Sequence, residues 1–78
     1  MKLTIISPEK TLFEGEVQAV FLPGTKGAFE VLSHHAPVIS SLAKGSVSWR
    51  ISGELESIDI ASGFMKFQDE QMSVCVEQ

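Results

Sequence analysis

Residues capable of chemistry are few in this sequence, and their spacing limits what they can do together. His34 and His35 are adjacent. On an extended chain neighbouring side chains point to opposite faces, so the two imidazoles do not converge on one ion. A metal needs third and fourth ligands as well, and Cys75, Asp59 and Asp69 are scattered rather than grouped. A loop or interface role is expected for at least one of the two rings. Serines are plentiful, but none stands in the Gly-x-Ser-x-Gly elbow that lifts a hydroxyl between a strand and a helix. Cys75 lies in an alternating segment and reads as a small residue on a sheet face; a reactive thiol needs an electropositive setting. Glu14 with Glu16, and Glu54 with Glu56, mark solvated strand faces. Paired catalytic carboxylates would need a cleft that holds a sugar. Gly24-Thr25-Lys26-Gly27 lacks the Gly-x-x-x-x-Gly-Lys-Ser/Thr spacing, and no helix start follows it to hold phosphate. It reads as an exposed loop, Pro23 to Gly27, whose glycines can take positive φ. Loops of that kind on a rigid sheet often carry binding. No catalytic, cofactor-binding or metal site is expected.

The elements that would hold these residues must come from a short chain. Seventy-eight residues make a single domain, 1–78. A chain of this size buries only about 60% of its unfolded surface. One cysteine allows neither an intrachain disulfide nor the start of a zinc site, so packing, a partner subunit or both must hold the fold. Ten acids against six scattered bases give a net charge of −4. That balance argues against nucleic acid, whose binders cluster Lys and Arg against phosphates. No apolar run approaches the roughly 18 residues of a membrane span, and the start, Met1 to Pro8, is too short for a signal peptide. The expectation is a soluble cytoplasmic protein without direct membrane insertion, held near a membrane only by a partner.

Period two dominates the chain. Val47, Trp49 and Ile51 share one face, and Ser46, Ser48 and Arg50 the other; Met72, Val74 and Val76 alternate with Ser73 and Cys75. From Glu16 to Leu22 both sides are partly apolar, as in a strand covered on both faces. Turn residues at Ser7-Pro8-Glu9-Lys10, Lys44-Gly45, Ser52-Gly53-Glu54 and Gln68-Asp69-Glu70-Gln71 punctuate the runs. Strands are predicted near 2–6, 11–22, 28–32, 38–42, 46–52, 55–61, 63–67 and 71–76. Helix signals are thin, since Pro37 and the β-branched Val38 and Ile39 favour an extended path. The fold class expected is all-β, a sandwich or barrel. Hydrophobic residues make up 44% of the chain, so some must stay outside a core this small and mark an interaction surface.

The order of short motifs goes further. Ser7-Pro8-Glu9, Leu12-Phe13-Glu14-Gly15-Glu16-Val17 and Leu22-Pro23-Gly24 resemble the opening of the epsilon subunit of F-type ATP synthases, the delta subunit in mitochondria. The resemblance continues through Gly27-Ala28-Phe29-Glu30-Val31-Leu32 and His35-Ala36-Pro37-Val38-Ile39. It closes with Ile60-Ala61-Ser62-Gly63-Phe64-Met65-Lys66-Phe67, similar to the family's Ser-Gly-Gly-Phe-Leu-Glu-Val, and a final Met72-Ser73-Val74.

This resemblance implies a flattened β-sandwich of two antiparallel, five-stranded sheets, about ten short strands. It implies a non-catalytic rotor subunit of a proton- or sodium-translocating synthase, coupling the gamma subunit to the polar loops of the c-ring for ATP synthesis. The expected place is peripheral, at the cytoplasmic face of a bacterial plasma membrane. Carried over by position, Gly24, Thr25, Lys26, Gly27 and Ala28 match the family's ring-facing edge, and Ser7, His35 and Ser40 its gamma-facing side. Two departures stand out: Glu30 replaces a common Gly, and Ser33-His34 replace Pro-Gly, so the loop before His35 is expected to differ in shape. The sequence ends at Gln78 without the C-terminal helical hairpin of many relatives, so coupling rather than inhibition or nucleotide binding is the expected role. A free-standing β-barrel module for small ligands or nucleic acid is the alternative, disfavoured by the acid excess and the absence of tyrosine. A small hydrolase using His35 with Ser40 or Ser41 rests on residue types alone.

Overall fold

A computed structural model describes all residues, 1–78, and the alternating pattern becomes nine strands with no helix. They are β1 (Lys2–Ile6), β2 (Thr11–Glu16), β3 (Ala19–Gly24), β4 (Gly27–Leu32), β5 (Val38–Leu42), β6 (Gly45–Ile51), β7 (Glu54–Ile60), β8 (Ser62–Gln68) and β9 (Gln71–Glu77). Most predicted boundaries fall within a residue of these. The exception is the long strand expected at 11–22, which is two strands, broken at Val17 and Gln18. There the Val17 amide donates to the Met1 carbonyl (2.9 Å) and the Gln18 amide to that of Arg50 (2.8 Å). The chain thus leaves the β1 ladder and joins the β6 ladder within two residues. Val17, Ala19, Val20 and Leu22 are all buried because the strand changes layer, which accounts for the two-sided apolar pattern.

The strands hydrogen-bond in the order β2-β1-β9-β8-β5-β3-β6-β7, with β4 on the free side of β3. Strands β2-β1-β9-β8-β5 form one layer and β4-β3-β6-β7 the other, so nine strands in layers of five and four replace the ten expected. Only the Gly24–Leu42 bridge joins β3 to β5, so the sheet folds over at that point. The β1–β9 pair is parallel rather than antiparallel, which places both chain ends in one layer.

Each layer turns one side chain in two towards the other. Leu3 and Ile5 of β1, Met65 and Phe67 of β8, and Met72, Val74 and Val76 of β9 come from the first layer. Val20 and Leu22 of β3, Val31 of β4, and Val47 and Trp49 of β6 meet them from the second. No polar or charged residue is buried. Gly63 is required by packing, since a Cβ there would stand 2.5 Å from the Cys75 carbonyl oxygen.

Candidate interaction surface

The loop predicted at 23–27, which carries most of the ring-facing set 24–28, is a hairpin tip. Pro23 and Gly24 end β3, Gly27 and Ala28 begin β4, and Gly24 pairs with Gly27, leaving only Thr25 and Lys26 in the turn. Gly27 takes φ 132°, whereas Gly24 stays at negative φ. Gly24 is needed for another reason: a Cβ there would lie 2.7 Å from the Gly27 carbonyl and 2.8 Å from the Phe29 ring. The tip is also tied sideways to β5. The Thr25 amide donates to the Ser41 carbonyl (3.1 Å), the Thr25 and Ser41 hydroxyls share a hydrogen bond of 2.7 Å, and the Ala43 amide donates to the Pro23 carbonyl (2.7 Å). A short turn tied along its β3 shoulder is stiff. At its apex Lys26 is exposed and has no ion-pair partner.

The structure brings Ser40 to this tip and leaves Ser7 apart. Ser40 lines a depression of 310 Å³ with Thr25, Lys26 and Ile39, and its hydroxyl donates to the Ser41 carbonyl (2.9 Å). Ser7 closes its own turn: its hydroxyl donates to the Lys10 carbonyl (3.2 Å) and accepts from the Lys10 amide (3.3 Å). It also lines a groove of 430 Å³ with Ile6, Pro8, Phe64 and Cys75. A cross-strand row, Ser41–Phe64–Cys75–Ile6, runs between the two places over β5, β8, β9 and β1. At about 4.8 Å per strand step the row spans roughly 14 Å.

His35 lies beyond β4, exposed, with Nδ1 2.6 Å from the Ala36 carbonyl and its ring edge-on to Phe67 at 6.3 Å. With its hydroxyl turned to Ser41 and the imidazole engaged elsewhere, the Ser40–His35 pair is not arranged for nucleophilic chemistry. His34 goes its own way. Its amide donates to the Glu70 carboxylate (2.6 Å), and its Nδ1 lies 3.9 Å from the same oxygen. Chiefly through that amide hydrogen bond, the Glu70 carboxyl is held below the ordinary glutamate range; partial desolvation opposes the effect, and the Ser33 hydroxyl, the His34 ring and the N-terminal ammonium reinforce it.

Sequence reasoning announced spare apolar surface without placing it. The outer face of the five-stranded layer carries Ile39 (73% exposed), Phe64 (57%) and Ile6 (39%). The signal was the parity of the strands: with Met65 and Phe67 inward, Phe64 must point outward. Glu70 gave no signal, because its partner is 36 residues away.

Residues 1–78 match the family described as "ATP synthase, Delta/Epsilon chain, beta-sandwich domain". The ATP synthase epsilon chain of Leptospira interrogans is 34% identical over 77 residues, which are 99% of this chain and 61% of the relative. The chain therefore spans about three-fifths of such relatives. The epsilon chain of Caulobacter vibrioides is also 34% identical over 77 residues, and there the match covers 90% of the relative. Among solved structures, a chain of the Euglena gracilis mitochondrial ATP synthase (OSCP, F1 and c-ring) superposes with a TM-score of 0.90 at 22% identity, over 97% of this chain and 49% of that one. A chain of the Tetrahymena thermophila mitochondrial ATP synthase (central stalk and c-ring) gives 0.82 at 14% identity, over 99% and 63%.

Proposed function

The chain belongs to the ATP synthase delta/epsilon family, and from that membership we propose that it is a non-catalytic rotor subunit coupling a gamma-type shaft to a c-ring in an F-type synthase. The observation that carries this reading is the family match, which runs through every strand from the first residue to the last. Residues 1–78 act as one domain, which must pass torque rather than perform chemistry. A close-packed sandwich resists deformation, and a hairpin tip tied to β5 is a stiff point of contact.

On this reading Gly24, Thr25, Lys26, Gly27 and Ala28 face the ring, and Ser7, His35 and Ser40 face the shaft. The unpaired ammonium of Lys26 supports the first assignment, since it is free to meet a ring carboxylate or carbonyl; such an exposed pair is worth at most ~1 kcal/mol. The apolar row Phe64–Cys75–Ile6 that ends beside Ser7 supports the Ser7 part of the second. The subunit sits peripherally, at the cytoplasmic face of a bacterial plasma membrane, and takes its membrane address from the complex.

Co-expression with the gamma subunit of the same organism yields a stable complex that survives purification. Failure to co-purify at micromolar concentration, with both partners folded, overturns the proposal. In the assembled synthase Lys26→Ala leaves the gamma complex intact and weakens coupling between ion flow and ATP synthesis; unchanged coupling removes Lys26 from the ring contact.

A further inference from the structure

Between β4 and β5, residues 33–37 carry the chain from one layer to the other across the end of the sandwich. We infer that Glu70 is the clasp of this crossing: its carboxylate holds the His34 amide, fixes the loop against the β8–β9 turn, sets the position of His35, and releases the loop in acid.

Three observations converge on Glu70. First, the His34 amide meets its carboxylate at 2.6 Å, a short charge-assisted hydrogen bond between segments 36 residues apart. Second, the turn that carries Glu70 is itself anchored, since its carbonyl accepts from the Lys2 amide at 2.9 Å. A force on the loop is therefore passed into β1 instead of into a free hairpin. Third, the backbone at both ends of the clasp is in the left-handed region: φ is 61° at Glu70, 53° at Asp69 and 68° at His34. Two-residue hairpin turns with positive φ favour Asn-Gly or Asp-Gly. The other such turn here places Gly53 second, at φ 82°. At the equivalent place in the β8–β9 turn stands Glu70, which bears the steric cost of that conformation and supplies a carboxylate glycine cannot.

The groups that bear on this carboxylate are few. From the loop come the His34 amide and ring and the Ser33 hydroxyl; from the N-terminus comes the Met1 ammonium; Asp69 precedes it in the turn. The Lys2 ammonium, whose backbone adjoins the turn, is engaged by Glu14 at 3.2 Å. All but Asp69 and the opposing desolvation favour the ionised form. The folded-state pKa of Glu70 is depressed, so the clasp is closed above the ordinary carboxylate range and is lost as pH falls through that depressed value.

The bearing of the clasp on docking through His35 rests on the functional reading above, but the clasp itself is testable in the chain without a partner. Amide spectra of the ¹⁵N-labelled chain, titrated through the acid range, read it directly. The His34 amide proton moves upfield as pH falls, with a midpoint below the ordinary glutamate range, and the His35 amide and Phe67 ring resonances follow the same midpoint. In Glu70→Gln, whose amide oxygen still accepts, the inflection disappears and the loop keeps its neutral-pH resonances. In Glu70→Ala the His34 amide lies upfield at every pH and exchanges faster, while the amides of Val20 and Met65 report an intact sandwich. A His34 amide with no inflection in the wild-type chain overturns the inference, as does Glu70→Ala with His34 and His35 unmoved. If Glu70→Ala does not fold, the wild-type titration decides alone.

Discussion

At the indole of Trp49 the protein leaves a donor unpaired. The side chain is 3% exposed and its Nε1 has no hydrogen-bond partner, while the ring packs on Phe13 with centroids 4.7 Å apart. An unsatisfied buried donor costs about 1–3 kcal/mol, and an aromatic pair returns about 0.5–1.5 kcal/mol beyond its area. The ring therefore earns its place by volume. Trp49→Phe keeps the contact and removes the orphan, so it shifts stability by less than ~1 kcal/mol, whereas Trp49→Ala opens a cavity and costs about 3–5 kcal/mol. Urea midpoints of the two variants test the difference; equal losses would show that the N–H, rather than the ring, matters. The period-two pattern gave away that Trp49 points inward, but the missing partner depends on which atoms the opposite layer presents and was not legible.

The β3–β4 hairpin and its neighbours show what happens when elements meet. Pro23 to Gly27 was legible as a connection, but its contraction to two residues was not, because Gly24 pairs with Gly27 only when strand register brings them opposite. The tie to β5 is likewise a product of the fold, with Thr25 and Ser41 16 positions apart in the chain. Thr25→Val removes the hydroxyl pair and keeps the backbone bond to Ser41. The expected loss is about 0.5–1.5 kcal/mol, with faster amide exchange at Lys26 and Gly27 and no change in the five-stranded layer. Exchange rates at the tip that match wild type would show that the turn alone stiffens it. The split of the predicted 11–22 strand has the same origin: Val17 and Gln18 keep an extended sequence pattern while their amides turn to Met1 and Arg50.

Across the whole molecule, stability rests on two layers closing over an apolar core with no buried charge and no covalent staple. Leu22, 2% exposed, reaches into that core from β3. Leu22→Ala is expected to cost about 2–5 kcal/mol out of the ~5–15 kcal/mol typical of a domain. Chemical denaturation measures it; a loss below ~1 kcal/mol would mean that the layers close without β3. Alternation at period two is a local property of the chain, and it was enough for the all-β class, for eight turn-bounded segments and for which residues of the cleanly alternating ones share a face. Its ordered motifs determined the family. Folding settled which strands pair, that 11–22 is two of them, that β1 and β9 run parallel, which layer carries the spare apolar residues, and that His34 and His35 part company, one to Glu70 and one towards Phe67. Those outcomes depend on contacts between residues far apart in the chain, and two side chains adjacent in sequence carry no information about partners that arrive 36 residues later.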